Sequence, residues 1–203
     1  MRFAVPLLIA AILGLAAGTV SALWLGGLMK SGPRLGTGFN IEEWRSDWSI
    51  GSDTANPYIR ARIARHGLLA LRKEEAVYFN RSVDDEGRPL SEACSYRVSG
   101  GSFPAEWWSV TLYDGESRLP MNEDGALSFD ATDAAEFGTP AAWSFEISAQ
   151  QGETPERQWV SSRAAGAFDL TLRLYLPNAL LLEDPASVMR PPAVERLSCE
   201  EEA

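Results

Sequence analysis

Phe168-Asp169-Leu170-Thr171-Leu172-Arg173-Leu174-Tyr175-Leu176-Pro177 is the stretch on which the fold turns. Phe168, Leu170, Leu172, Leu174 and Leu176 occupy every second place, with Asp169, Thr171, Arg173 and Tyr175 between them. A strand sends successive side chains to opposite faces. The alternation therefore predicts a strand with one dry face and one wet face, as in a half-buried antiparallel sheet.

Working outward, similar short runs rich in β-branched and aromatic residues recur between turn residues. Ala76-Val77-Tyr78-Phe79 and Ser95-Tyr96-Arg97-Val98 flank the polar segment Asp84 to Pro89, which is expected to close a long hairpin loop. Trp107 to Tyr113 ends at the turn pair Asp114-Gly115. Ala126 to Phe129, Trp143 to Ser148, Trp159 to Ser161 and Val194 to Leu197 complete the set. Seven or eight short strands predict a mainly β domain, an antiparallel β-sandwich resembling a jelly roll. No internal repeat is visible.

The N-terminal end is different. Phe3 to Met29 holds no charged residue and is flanked by Arg2, Lys30 and Arg34. A helix of that length reaches about 40 Å, more than the roughly 30 Å of a hydrocarbon core. Residues 3–29 therefore read as a transmembrane signal anchor. A cleaved signal peptide is the competing reading, because Val20-Ser21-Ala22 offers a small-residue site. Apolar Leu23, Trp24, Leu25 and Leu28 continue past that site, which favours retention. Flanking charge is nearly balanced and does not set the orientation; the long downstream domain fits export. No cysteine lies near the segment, so a lipoprotein is excluded.

Residues 30–55 read as a linker, rich in Gly, Ser and Thr, whose Phe39, Trp44 and Trp48 predict partial docking against membrane or body. The folded domain is expected over residues 56–199. Asn56-Pro57 reads as an N-cap followed by proline at the first helical position. Ile59, Ile63 and the Leu68 to Leu71 run then predict one amphipathic helix, with Arg60, Arg62, Arg65, Arg72 and Lys73 on its other faces. Those cations do not predict nucleic-acid binding, because the chain carries a net charge of −10 and would repel a polyanion. They read as a solvated face or as partners of acidic loops.

There are two cysteines, Cys94 and Cys199. In an oxidising compartment they can pair and pin the acidic C-terminal tail to the body; two unpaired thiols, one buried and one in the tail, is the other reading. No CxxC or Cys/His cluster is present, and with one histidine, His66, neither a histidine metal cluster nor an independent triad is expected. No Gly-rich phosphate loop or nucleophile elbow occurs. No cofactor and no metal are expected.

Three blocks carry a family resemblance. Trp108-Ser109-Val110-Thr111-Leu112-Tyr113-Asp114 is the first; the second is Trp159 followed by Gly166-Ala167-Phe168 through Pro177; the third is Pro191-Pro192-Ala193-Val194-Glu195-Arg196. Together, over about residues 75 to 197, they resemble the DUF1214 family. The resemblance implies a jelly-roll-like sandwich, commonly found C-terminal to a DUF1254 domain in exported bacterial proteins. With no DUF1254 domain in this chain, it implies a separately encoded DUF1254-type membrane protein as partner. It supplies no catalytic mechanism and no active-site residues.

Chemistry must then be read from the residues. Trp107 and Trp108 are adjacent in a strand, so they face opposite ways and one can be exposed. An exposed tryptophan beside Tyr113, with Glu106 and Arg97 as polar neighbours, could stack on a sugar or fill a partner's pocket. Trp143 and Trp159 are assigned to the core. Glu92, Glu106, Asp114 and Asp169 are the carboxylates from which an acid/base pair for glycan or lipid modification could be drawn. The expectation is a single-pass protein of the bacterial inner membrane, its β-domain in the periplasm, acting as a binding or assembly module, with an enzyme as the alternative.

Overall fold

The computed structural model describes residues 4–29, 38–52, 55–65 and 71–199. Helix α1 spans Ala4–Leu25. Its stretch Val5–Leu25 has mean hydropathy 2.1, and none of it is buried against the rest of the chain, so it is long and apolar enough to cross a membrane. Helix α2, Pro57–Arg65, starts where the sequence predicts: Asn56 Oδ1 accepts from the Tyr58 N–H at 2.8 Å. It is followed to Arg65; the predicted continuation through His66 and Leu68 to Ala70 lies outside the described residues, and Arg72 to Glu75 form a turn.

Among the described residues ten strands form two sheets. They are β1 Phe39–Ile41, β2 Trp44–Ser46, β3 Ala76–Arg81, β4 Cys94–Gly100, β5 Ala105–Asp114, β6 Ser128–Asp130, β7 Trp143–Ser148, β8 Trp159–Ser161, β9 Phe168–Pro177 and β10 Ala193–Cys199. The six-stranded sheet runs β1-β2-β3-β9-β5-β6 and the four-stranded sheet β10-β4-β7-β8. All pairs are antiparallel except β7 with β8. Three short helices, α3 Ala131–Phe137, α4 Ala179–Glu183 and α5 Pro185–Val188, fill connections. Asp130 caps α3 reciprocally with Asp133, and Asn178 caps α4.

The sandwich core lies between the sheets, as the alternation requires. Phe168, Leu170, Leu172 and Leu174 of β9 are buried, with Trp108, Val110 and Leu112 of β5 on one side and Val77 and Phe79 of β3 on the other. The four-stranded sheet answers with Tyr96, Val98, Trp143, Phe145 and Ile147. Aromatic rings join the layers: Trp108 stacks on Trp143 at 4.5 Å between centroids, and Phe129 on Phe145 at 4.7 Å. Gly100 permits this, because a Cβ there would lie 2.5 Å from the Trp143 ring. The indole N–H of Trp143 then donates to the Gly101 carbonyl at 2.9 Å.

Four expectations change. Strands β3 and β4 do not form a hairpin; they belong to different sheets, β3 pairing with β9 and β4 with β7 and β10. The polar segment closes on itself instead. Asp84 Oδ1 accepts from the Glu86 and Arg88 N–H groups, and its carboxylate meets Arg88 at 2.9 Å and Arg196 of β10 at 2.7 Å, so the chain is turned toward the other sheet. Burial pushes the Asp84 carboxyl up, but the hydrogen bonds from Arg88 and Glu86 and the Arg196 charge outweigh it and hold it below the ordinary carboxylate range. Second, Leu176 leaves the apolar row: its φ of 49° is left-handed and it is 59% exposed. Third, the stretch expected to be a linker supplies β1 and β2, and Trp44 is fully buried with its indole N–H on the Pro192 carbonyl at 2.8 Å. Fourth, β8 runs parallel to β7, reached through a 3-10 turn at Glu156–Gln158.

Cys94 and Cys199 form a disulfide across the first register of β4 and β10. It ties the end of the described chain to the four-stranded sheet.

Candidate functional site: a polar cavity on the outer face of the six-stranded sheet

The face of the six-stranded sheet turned away from the core is built by the same alternation that buries the leucines. It shows Tyr78 and Asn80 from β3, Asp169, Thr171, Arg173 and Tyr175 from β9, and Trp107, Ser109, Thr111 and Tyr113 from β5. Register sets the neighbours: Asn80 and Thr111 both lie opposite Thr171, Tyr78 and Ser109 opposite Arg173, and Tyr113 opposite Asp169. Cross-strand neighbours of this kind are the natural unit of a sheet surface.

These polar side chains hold one another in place. Thr171 Oγ1 donates to Asn80 Oδ1 at 2.7 Å. Arg173 donates to Thr111 Oγ1 at 3.0 Å and to the Tyr113 hydroxyl at 2.5 Å, and its guanidinium lies 5.3 Å from the Tyr113 ring centre and 6.0 Å from that of Tyr78. Thr171 is 4% exposed although it stands on the outer face, so the surface is recessed there.

The recess is a cavity of about 440 Å³ at the β9 N-terminal end of the sheet. Asn80, Thr171, Asp169 and Tyr113 come from the sheet, Asn40, Glu43 and Arg45 from the β1–β2 hairpin, and Ser117 from the loop after β5. Two lining residues have left-handed backbones without being glycine: Glu43 at φ 68° and Ser117 at φ 62°. A two-residue hairpin loop wants positive φ at both places, which Asn-Gly normally supplies; Glu42 and Glu43 supply it here at a steric cost of about 1 kcal/mol or more each. That strain sets Glu43 at the cavity.

Asp169 is electrostatically the most perturbed group of the cavity. Burial, and after it the charge of Asp114, pushes its carboxyl up to about 6 from the usual 3.8. Asp114 goes the other way: hydrogen bonds from the Arg118 and Glu116 N–H groups, with the Arg118 charge, outweigh its burial and hold it below the ordinary range. Burial also raises the Tyr78 phenol, with Tyr175 adding to the effect and Arg173 opposing it.

Of the five residues singled out from the sequence, Tyr113 lines this cavity, and Trp107 shares its face at the opposite end of β5, 5.4 Å from Tyr175. Trp108 faces the core, Glu106 is exposed at the start of β5, and Arg97 lies on the other sheet beside Glu146 at 3.1 Å. The five do not converge. Among the four candidate carboxylates Asp169 alone lines the cavity; Glu92 accepts the Ala164 and Gly166 N–H groups, and Asp114 accepts those of Glu116 and Arg118. Among the described residues no group of three or more His, Cys, Asp or Glu is placed to hold a metal ion.

The profile of DUF1214, described as a protein family of unknown function, matches residues 75–179. The chain belongs to the DUF1214 family. The matched segment carries β3 through β9, and so the sheet floor of the cavity, whereas the hairpin bearing Asn40, Glu43 and Arg45 lies ahead of it. The fold of this DUF1214 chain is similar to that of the VPA0106 protein from Vibrio parahaemolyticus, with a TM-score of 0.54 and 18% identity over 71% of this chain and 36% of that one. A putative uncharacterized protein from Burkholderia cenocepacia gives a TM-score of 0.38 and 18% identity over 64% of this chain and 31% of its own. The chain thus spans about a third of the length of both structures. No curated protein matches it.

Proposed function

We propose that this DUF1214 protein is a membrane-anchored binding module, which holds its β-sandwich on the periplasmic side of a bacterial inner membrane and takes a polar ligand in the cavity on its outer sheet face. The observation that carries this reading is the recessed, internally hydrogen-bonded surface of Asn80, Thr171, Tyr113 and Arg173, closed at its rim by the strained hairpin that presents Glu43. Amides and hydroxyls, with Arg45 and Arg81 beside Glu43 and Asp169, suit a polyhydroxylated ligand such as a glycan, whose hydroxyls both donate and accept. The family resemblance adds a DUF1254-type membrane protein as the companion of the assembly. The test is binding of the full-length protein in detergent to an array of neutral and acidic oligosaccharides. Binding that is lost in Asn80→Ala and Thr171→Val supports the reading, and binding unchanged by both variants refutes it.

One observation favours an enzyme as the second reading: Asp169, a carboxyl raised to about 6, lines the same cavity as Glu43. Glycan hydrolysis commonly uses two carboxyl groups, one of them kept protonated to act as the acid, and burial suits Asp169 to be that one. Asp169→Asn then abolishes turnover of any oligosaccharide the array identifies while leaving it bound. A binding module shows no turnover in either form.

A further inference from the structure

The opposite end of the same sheet exposes large apolar side chains. Trp107 is 37% exposed, Leu176 59% and Leu180 62%, and Tyr175 stands beside Trp107. Leu180 lies on the outer side of α4, whose other face buries Leu181. Leu176 is turned outward by its left-handed backbone, a conformation that spoils the buried row of β9 and gains nothing in the core.

Chain topology leads the membrane helix to this same end. Strand β1 begins at Phe39, opposite Ser46, and Ser46 is in turn opposite Phe79 of β3, which pairs with Leu172; β1 therefore enters at mid-sheet from the apolar side and runs toward the cavity end, where the β1–β2 turn lies. Strand β3 begins at the apolar end itself, its Ala76 opposite Tyr175, and it is fed by α2. Helix α2 is in contact with the end of the apolar helix, through a hydrogen bond of 2.9 Å from Arg62 Nε to the Leu25 carbonyl. Arg60 on α2, with Arg72 and Lys73 before β3, lies on this approach beside Glu74 and Glu75, while the Arg62 guanidinium is packed on the end of α1 with its Nη2 buried.

We propose that this end of the sandwich rests on the bilayer that holds α1, with Trp107, Tyr175, Leu176 and Leu180 seated at the lipid headgroup boundary and the basic stretch from α2 to Lys73 close to it. Trp and Tyr are the side chains enriched at that boundary, and basic residues beside it are attracted by anionic lipid. The cavity then lies toward the far end of the sheet, about 20 Å from the membrane, since Trp107 and Tyr113 are six residues apart on β5. This rests on α1 being a retained anchor, not on any ligand of the cavity.

Because both native cysteines are in the disulfide, a single introduced cysteine can carry a spin label specifically. Full-length protein in nanodiscs of phosphatidylcholine, with and without phosphatidylglycerol, is labelled at Leu180→Cys, at Met121→Cys in the loop leaving the far end of β5, and at Leu13→Cys within α1. Accessibility to oxygen and to a water-soluble nickel chelate is then measured. The expected result is a Leu180→Cys label reached by the chelate several-fold less than Met121→Cys, with phosphatidylglycerol deepening the difference. Equal chelate access at positions 180 and 121, with the position 13 label buried in lipid, overturns the docking and leaves the apolar end to a protein partner. A position 13 label open to the chelate overturns the anchor itself.

Discussion

Asp169→Asn tests the electrostatics of the cavity directly. In the folded protein the carboxyl binds its proton more tightly than in the unfolded chain, about 6 against 3.8, so its contribution is fully present below pH 3.8 and is lost as pH rises through 6. A shift of about two units corresponds to roughly 3 kcal/mol over the whole range. Between pH 8 and pH 5 linkage gives about 1.4 kcal/mol, trimmed toward about 1 kcal/mol because the cavity admits water and screens the group. Asparagine copies the shape of the neutral acid and does not titrate. The variant is therefore expected to be more stable than the wild type at pH 8, and that advantage shrinks by about 1 kcal/mol at pH 5. Urea unfolding of the full-length protein in detergent, followed by tryptophan fluorescence at both pH values, reads the difference and cancels the many other carboxylates. A stability difference that does not change with pH refutes the raised carboxyl, and with it the acid role of Asp169.

Reducing the Cys94–Cys199 disulfide, or Cys94→Ala with Cys199→Ala, releases a loop closed over 105 residues and is expected to cost up to about 4 to 5 kcal/mol, read as a fall in urea midpoint. Trp44→Phe removes the shorter of the two hydrogen bonds to the Pro192 carbonyl, leaving Arg81 Nη1 at 3.4 Å, and is expected to lose about 1 kcal/mol, a loss that an undocked linker would not show. Arg196→Met leaves the buried Asp84 carboxylate with Arg88 as its one remaining cation and is expected to cost about 3 kcal/mol at pH 7. Because Asp84 sits below its ordinary range, its contribution is present above pH 4 and falls away in acid, so that penalty diminishes as pH drops.

The sandwich was legible because β9 writes its burial as a strict alternation, and β7 and β8 are bounded as the sequence predicts, at Trp143–Ser148 and Trp159–Ser161. The pairing of strands was not legible. Ala76–Arg81 and Cys94–Gly100 look like a hairpin because a polar loop joins them, yet a loop pattern says nothing about which sheet receives the second strand. Here that choice rests on Asp84 reaching Arg196, 112 residues later in the chain, and a contact of that span leaves no local mark. The β1–β2 hairpin was missed for a related reason. Three-residue strands give too short a period to detect, and Glu42-Glu43 carries none of the turn chemistry that usually marks such a loop.

The cavity follows from both of these. Its floor was written in the wet half of the β9 alternation, Asp169 and Thr171, which reads as ordinary solvent-facing polarity until a wall is raised beside it. The wall comes from the hairpin, outside the segment that matches the family profile. Adjacency in the sequence groups Trp107 and Tyr113, which share the outer face, with Trp108 and Arg97, which alternation and sheet membership separate from them. Taken along β5, the outer face divides by chemistry: Tyr113 and Asp169 at one end, Trp107 with Leu176 at the other. Arg173 fills the middle and links the two, donating to Thr111 and to the Tyr113 hydroxyl. A single sheet face thus carries two chemistries, and on the proposed docking the end where β3 begins is the one that meets lipid.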